Sequence, residues 1–75
     1  MSELYKKMIR EIKRQMFRRG MNIRQTAEAL GCHRVNLSAY LNLKTVMRSD
    51  MMLKAIDYFE IDVNAVLGIP HGVTN

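Results

Sequence analysis

Apolar residues in this chain recur at helical spacing and nowhere alternate as a half-buried strand requires, so the core must be built from helix faces. Leu4, Met8, Ile12 and Met16 stand four apart, with Ile9 and Phe17 widening the stripe, which predicts an amphipathic helix over 3–19. Ser2 suits its N-cap and Gly20 its left-handed stop. Asn22 opens a second helix, and Gln25 is placed to complete a capping box. Ile23, Ala27 and Leu30 mark the inner face of that helix, and Gly31 ends it. A third helix follows from Arg34 to Leu43, with Leu37, Tyr40 and Leu41 within about 100° of one another. Ser49 suits the cap of a fourth, which carries Met52, Leu53, Ile56 and Phe59 inward. Asp62 caps a short fifth through Leu67, before Gly68 and Pro70. The expectation is an all-α, compact five-helix domain over 1–70, with a frayed tail at 71–75.

A chain of 75 residues makes one small domain, with no room for a second, ligand-sensing unit. Its stability depends on close helix packing or on dimerisation. No apolar run approaches the ~18–20 residues of a membrane span. The basic N-terminal stretch lacks a following apolar region, so a signal peptide is not expected. The single Cys32 has no internal disulfide partner and fits a reducing cytoplasm.

The net charge of +5 is unevenly spread. Residues 1–20 carry +5 and residues 21–48 carry +3, whereas residues 49–75 carry −3. Such polarity suits a chain that turns one part to a polyanion and its acidic part away. A solvated helix face is the plainer explanation of the same numbers.

Two short helices joined at a glycine, the second exposing small polar residues, match a helix-turn-helix. The stretch Ile23-Arg24-Gln25-Thr26-Ala27-Glu28-Ala29-Leu30-Gly31-Cys32 resembles the first half of that motif in the lambdoid repressors, the Cro proteins and the wider xenobiotic-response-element-type family. The matches are small Ala27, Gly31 four residues later, and apolar Leu37 six after that. Lys44-Thr45 resembles the family's loop after the recognition helix, and Met52-Leu53 through Val66-Leu67-Gly68 its closing segment. The likeness covers about Ile9 to Gly68 and implies a lambda-repressor-like fold in which Gly31 takes the sharp turn and Ala27 permits close helix crossing. Two positions depart from the pattern. The family commonly sets a phosphate-binding glutamine where this chain has Ile23, which leaves Asn22, Arg24 and Gln25 as candidates for that contact. It often caps the recognition helix with Ser or Thr where this chain has His33, a poorer cap, so that helix's first turn is expected to fray until DNA contacts it.

The resemblance implies double-stranded DNA as the partner, with the third helix in a major groove. Val35, Ser38, Ala39 and Asn42 lie opposite that helix's apolar face. Arg34 occupies its first turn and is the leading guanine reader, through O6 and N7; a phosphate clamp is the alternative. Val35 and Ala39 either touch thymine methyls or allow close approach, and Ser38 reaches a base edge or a phosphate. Asn42 takes a phosphate contact from the family likeness, against a plain C-cap role. Lys44, Thr45 and Arg48 in the next loop, with Arg18, Arg19, Arg24, Gln25 and His33, complete the expected phosphate contacts. Lys6 and Lys7 lie far from the motif and add general attraction only.

Other chemistry finds little support. Cys32 and His33 are adjacent, which does not suit a catalytic pair built across a fold. One cysteine with His33 and His71 gives no zinc spacing, and no phosphate-cradling glycine loop is present. Neither an enzyme nor a cofactor, metal or small-molecule substrate is expected, and the seven methionines read as core filler. The expected role is a transcriptional regulator, most simply a repressor occluding a promoter, acting as a homodimer on a two-fold operator. Its dimer surface is placed at Val63, Val66, Ile69 and Val73, with Leu4 and Tyr5 as the alternative. A bacterial, phage or plasmid origin follows from the resemblance alone. The rival class is a protein-interaction module, such as an antitoxin-like subunit. A basic first helix lying on a membrane is disfavoured, because Leu4 to Phe17 should be covered by the other helices.

Overall fold

The computed structural model describes residues 2–68, and those residues form an all-helical fold of five helices. They are α1 (Glu3–Arg18), α2 (Ile23–Leu30), α3 (Arg34–Leu41), α4 (Ser49–Phe59) and α5 (Val63–Leu67). Ile69, Pro70, His71 and Val73, and with them the tail at 71–75, lie outside the described residues. No helix among the described residues is long and apolar enough to cross a membrane.

The long α1 runs along the core and lays Met8, Ile9, Ile12 and Met16 into it. Ser2 caps its start by accepting from the Tyr5 N–H at 3.1 Å. The stripe is narrower than the sequence suggests. Leu4 is half-exposed at the first turn, and Phe17 is 88% exposed because it sits well over 90° around the helix from the buried line.

Helix α2 begins with the full capping box: Asn22 Oδ1 accepts from the Gln25 N–H at 2.7 Å, and Gln25 Oε1 accepts from the Asn22 N–H at 2.9 Å. Its core residues are Thr26, Ala27 and Leu30. Ile23, expected inside, is 37% exposed. It lies on the inward line, but a first-turn side chain leans toward the helix N-terminus and so passes the rim of the core. Gly31 ends α2 at φ 73°, where its N–H bonds to Glu28 O and the Cys32 N–H to Ala27 O.

Helix α3 stops at Leu41, two residues short of its expected end, because Leu43 turns left-handed at φ 59°. Leu37, Tyr40 and Leu41 fill its inner face. The loop to α4 is pinned at Met47, whose side chain is buried and whose N–H donates to Tyr5 Oη at 2.7 Å. Tyr5 therefore has an internal partner.

Helix α4 starts one residue earlier than expected, with Arg48 at the N-cap position and Ser49 inside the helix. Ala55 and Phe59 are its buried residues, whereas Leu53, expected inside, is 65% exposed. The inward line passes through the small Ala55, and Leu53 falls about 160° around the helix from that residue. Asp62 caps α5 by accepting from the Ala65 N–H at 3.2 Å. Val63 and Val66 pack partly buried against the core.

Candidate nucleic-acid interface

The helices α2 and α3, joined through a short turn that begins at Gly31, are consistent with a helix-turn-helix. The inner face of α3 is sealed: Leu37 is fully buried, and Tyr40 and Leu41 nearly so. The outer face is therefore the one presented to a ligand. An open depression of about 750 Å³ lies on that side. Arg34, Val35, Ser38 and Ala39 of α3 form one wall. Asn22, Ile23 and Arg24 from the start of α2, with Lys44 from the following loop, form the other.

The four residues expected to read bases are thus brought together, along with Arg24 and Lys44 from the phosphate set. Val35 stands 73% exposed in the first turn of α3. Asn42 occupies the C-cap of α3, and its Nδ2 donates to Ser38 Oγ at 3.3 Å, which ties two candidate residues to each other. His33 holds the N-cap position without making a side-chain capping bond, as expected of a poor cap. The first N–H groups of α3 consequently point from an uncapped end.

Lys44, Thr45 and Arg48 are exposed on the loop that Met47 and Tyr5 hold in place. Arg48 pairs with Asp50 at 3.4 Å, and Arg24 with Glu28 at 3.4 Å. All four side chains are more than half exposed, so these pairs are weak and a phosphate can displace either acid. Gln25 spends its carbonyl oxygen on the capping box, leaving its amide N–H groups for a ligand. Arg18 is exposed at the last turn of α1.

Arg19 is placed differently from its expected role. Its guanidinium donates to Phe59 O at 3.1 Å and lies over the rings of Phe59 and Tyr58, 5.2 and 5.9 Å from their centroids. It joins α1 to the end of α4. No pattern of spacing links residues 40 apart, so only the packed fold exposes this contact.

Two other groups bear on the site. Cys32 is half-buried behind the turn, and burial pushes its thiol up, with the Lys54 charge partly offsetting the shift. Such a thiol is a poor nucleophile at neutral pH and packs as a small apolar group. The residue missed by the sequence is Ile23, which belongs to the depression and not to the core. Its signal was present in its place at the first helical position, where side chains lean outward.

A second depression, about 510 Å³, lies between α1 and α5. Lys7, Arg10 and Arg14 there share the cleft with Glu60 and Asp62, so its charges are mixed. Comparison of the chain with protein-family models, with curated proteins and with solved structures returns no match.

Proposed function

We propose that this chain binds double-stranded DNA by laying α3 in a major groove, and that it acts as a transcriptional regulator in the cytoplasm. The observation that carries the reading is the outer face of α3. Arg34, Val35, Ser38 and Ala39 converge there beside Ile23, Arg24 and Lys44, while the opposite face of the same helix is sealed in the core. A helix with one anchored face and a basic, sterically open other face suits groove entry. The resemblance of residues 23–32 to the lambdoid repressors and Cro proteins supports the same reading, with repression by occlusion of a promoter. Pairing on a two-fold operator supplies the specificity that a single small module lacks. Val63 and Val66, with Leu4 and Tyr5 as the alternative, are the described candidates for the pairing surface.

In this scheme Arg34 reads guanine and Asn42 holds a phosphate. Selection of bound sequences from a random duplex pool tests the first claim, because a groove reader enriches one motif. On the selected operator, Arg34→Ala should weaken binding by ~1–3 kcal/mol and relax preference at one base pair per half-site. Asn42→Ala should weaken all duplexes by a similar factor and leave the preference intact. Equal weakening of every sequence by Arg34→Ala would make Arg34 a phosphate clamp.

The second reading is an interaction module of antitoxin type. It is favoured by the apolar side chains left on the surface, chiefly Phe17 and Leu53. A pool that yields no enriched sequence, together with no binding to any duplex, would favour it.

A further inference from the structure

The depression is lined by apolar residues and by cations together. Ile23, Val35 and Ala39 line it beside Arg24, Arg34 and Lys44. A surface that only tracked phosphates would gain nothing from an exposed valine and isoleucine at this point, since phosphate contacts are made by charged and polar groups. We propose that Ile23, Val35 and Ala39 form a methyl-accepting cleft that selects thymine in each half-site, with Ile23 as a specificity-determining residue. The proposal rests on the DNA reading above.

The chemistry leaves one occupant. The cations of the lining call for a polyanion, and the apolar residues among them call for an apolar group carried on it. Among the base edges of a major groove, thymine's C5 methyl is the apolar group; the other exposed atoms donate or accept hydrogen bonds. The walls are also pre-formed. The capping box fixes the first turn of α2 and with it Ile23. Val35 is β-branched and stiff in a helix, and Ala39 lies one turn further along the same face. Little side-chain freedom is lost when a methyl enters.

The experiment replaces thymines of the selected operator one at a time by deoxyuridine, which removes the methyl and keeps every hydrogen-bonding group. Full transfer of one methyl from water corresponds to about a fourfold change in affinity. We expect a loss of that size at one or more thymines in each half-site. The loss at one of them should vanish in Ile23→Ser, and at a neighbouring one in Val35→Ser, because the variant no longer distinguishes thymine from deoxyuridine there. Both positions are exposed, and circular dichroism melts establish that each variant is folded. Sequence-selective binding with no sensitivity to deoxyuridine anywhere would overturn the methyl cleft and leave the DNA reading standing. Failure to bind any duplex would overturn both, and would assign the depression to a protein partner.

Discussion

Thr26 is fully buried in α2, and its hydroxyl oxygen has no hydrogen-bond partner among the described residues. A buried hydroxyl without a partner costs roughly 1–3 kcal/mol by mutational measures. Valine has nearly the same shape and no such oxygen. Thr26→Val should therefore stabilise the protein by about 1–2 kcal/mol, raising the melting temperature by ~5–10 °C in a domain of this size. A lower melting temperature would mean that the hydroxyl finds a partner in solution, such as a helix carbonyl or a trapped water. The polar character of Thr26 and the apolar character of Ile23 make hydrophobicity a misleading guide at these two positions of the motif. Periodicity puts 23, 26, 27 and 30 on one face, and hydrophobicity then favours Ile23 over Thr26 for the core. Position along the helix reverses that order, because the first turn overhangs the core and the second does not. Leu37, Tyr40 and Leu41 lie clear of this ambiguity, and their burial was legible from spacing alone.

Helix ends show the same limit at the next scale. The four longer helices close alike, with the residue after the left-handed position bonding back five residues: Met21 to Met16, Cys32 to Ala27, Lys44 to Ala39 and Ile61 to Ile56. At the first two the left-handed residue is Gly20 or Gly31, and the sequence announces the stop. At the other two it is Leu43 or Glu60, which announce nothing, and α3 accordingly looked two residues longer than it is. A left-handed backbone costs a non-glycine residue roughly 1–2 kcal/mol, so tertiary contacts must hold these ends. For α4 that contact is visible. Arg19 donates to Phe59 O, an end carbonyl of the helix, and its charge meets the negative end of the helix dipole. Arg19→Ala should lower stability by about 1 kcal/mol, through the lost charge-assisted bond and the ring contacts. The measurement is a thermal melt in the absence of DNA. An unchanged melting temperature would release Arg19 from this role and return it to the phosphate contacts.

At the scale of the whole molecule the proposed DNA reading raises the question of which cations would meet the polyanion, since twelve basic residues are far more than one interface uses. Four cations of α1 have acidic neighbours. Lys6 lies 3.7 Å from Glu3 and Arg14 3.4 Å from Glu11, and Lys7 and Arg10 border the cleft that contains Glu60 and Asp62. Arg19 is committed to α4. Around the depression and its flanking loop stand Arg24, Arg34, Lys44 and Arg48, and Arg18 is exposed at the last turn of α1: five cations, two of them in weak exposed pairs. The charge gradient that the sequence displays is therefore real but overstates the interface, because counting along the chain cannot see which charges the fold sets against each other. This yields a number. Each neutralised phosphate releases counterions and contributes about −0.9 to the slope of log affinity against log salt concentration. Five contacts, less any made by Arg34 to a base, predict a slope of roughly −4 per protomer, doubled for a dimer on two half-sites. Arg18→Ala should make the slope shallower by about one, whereas Asn42→Ala should weaken binding without changing it, because a neutral amide releases no counterion. Titrations at four or five salt concentrations measure all three. A slope near −8 per protomer would show that the α1 cations also reach DNA, and the orientation proposed for α3 would then have to rotate to bring that helix onto the backbone.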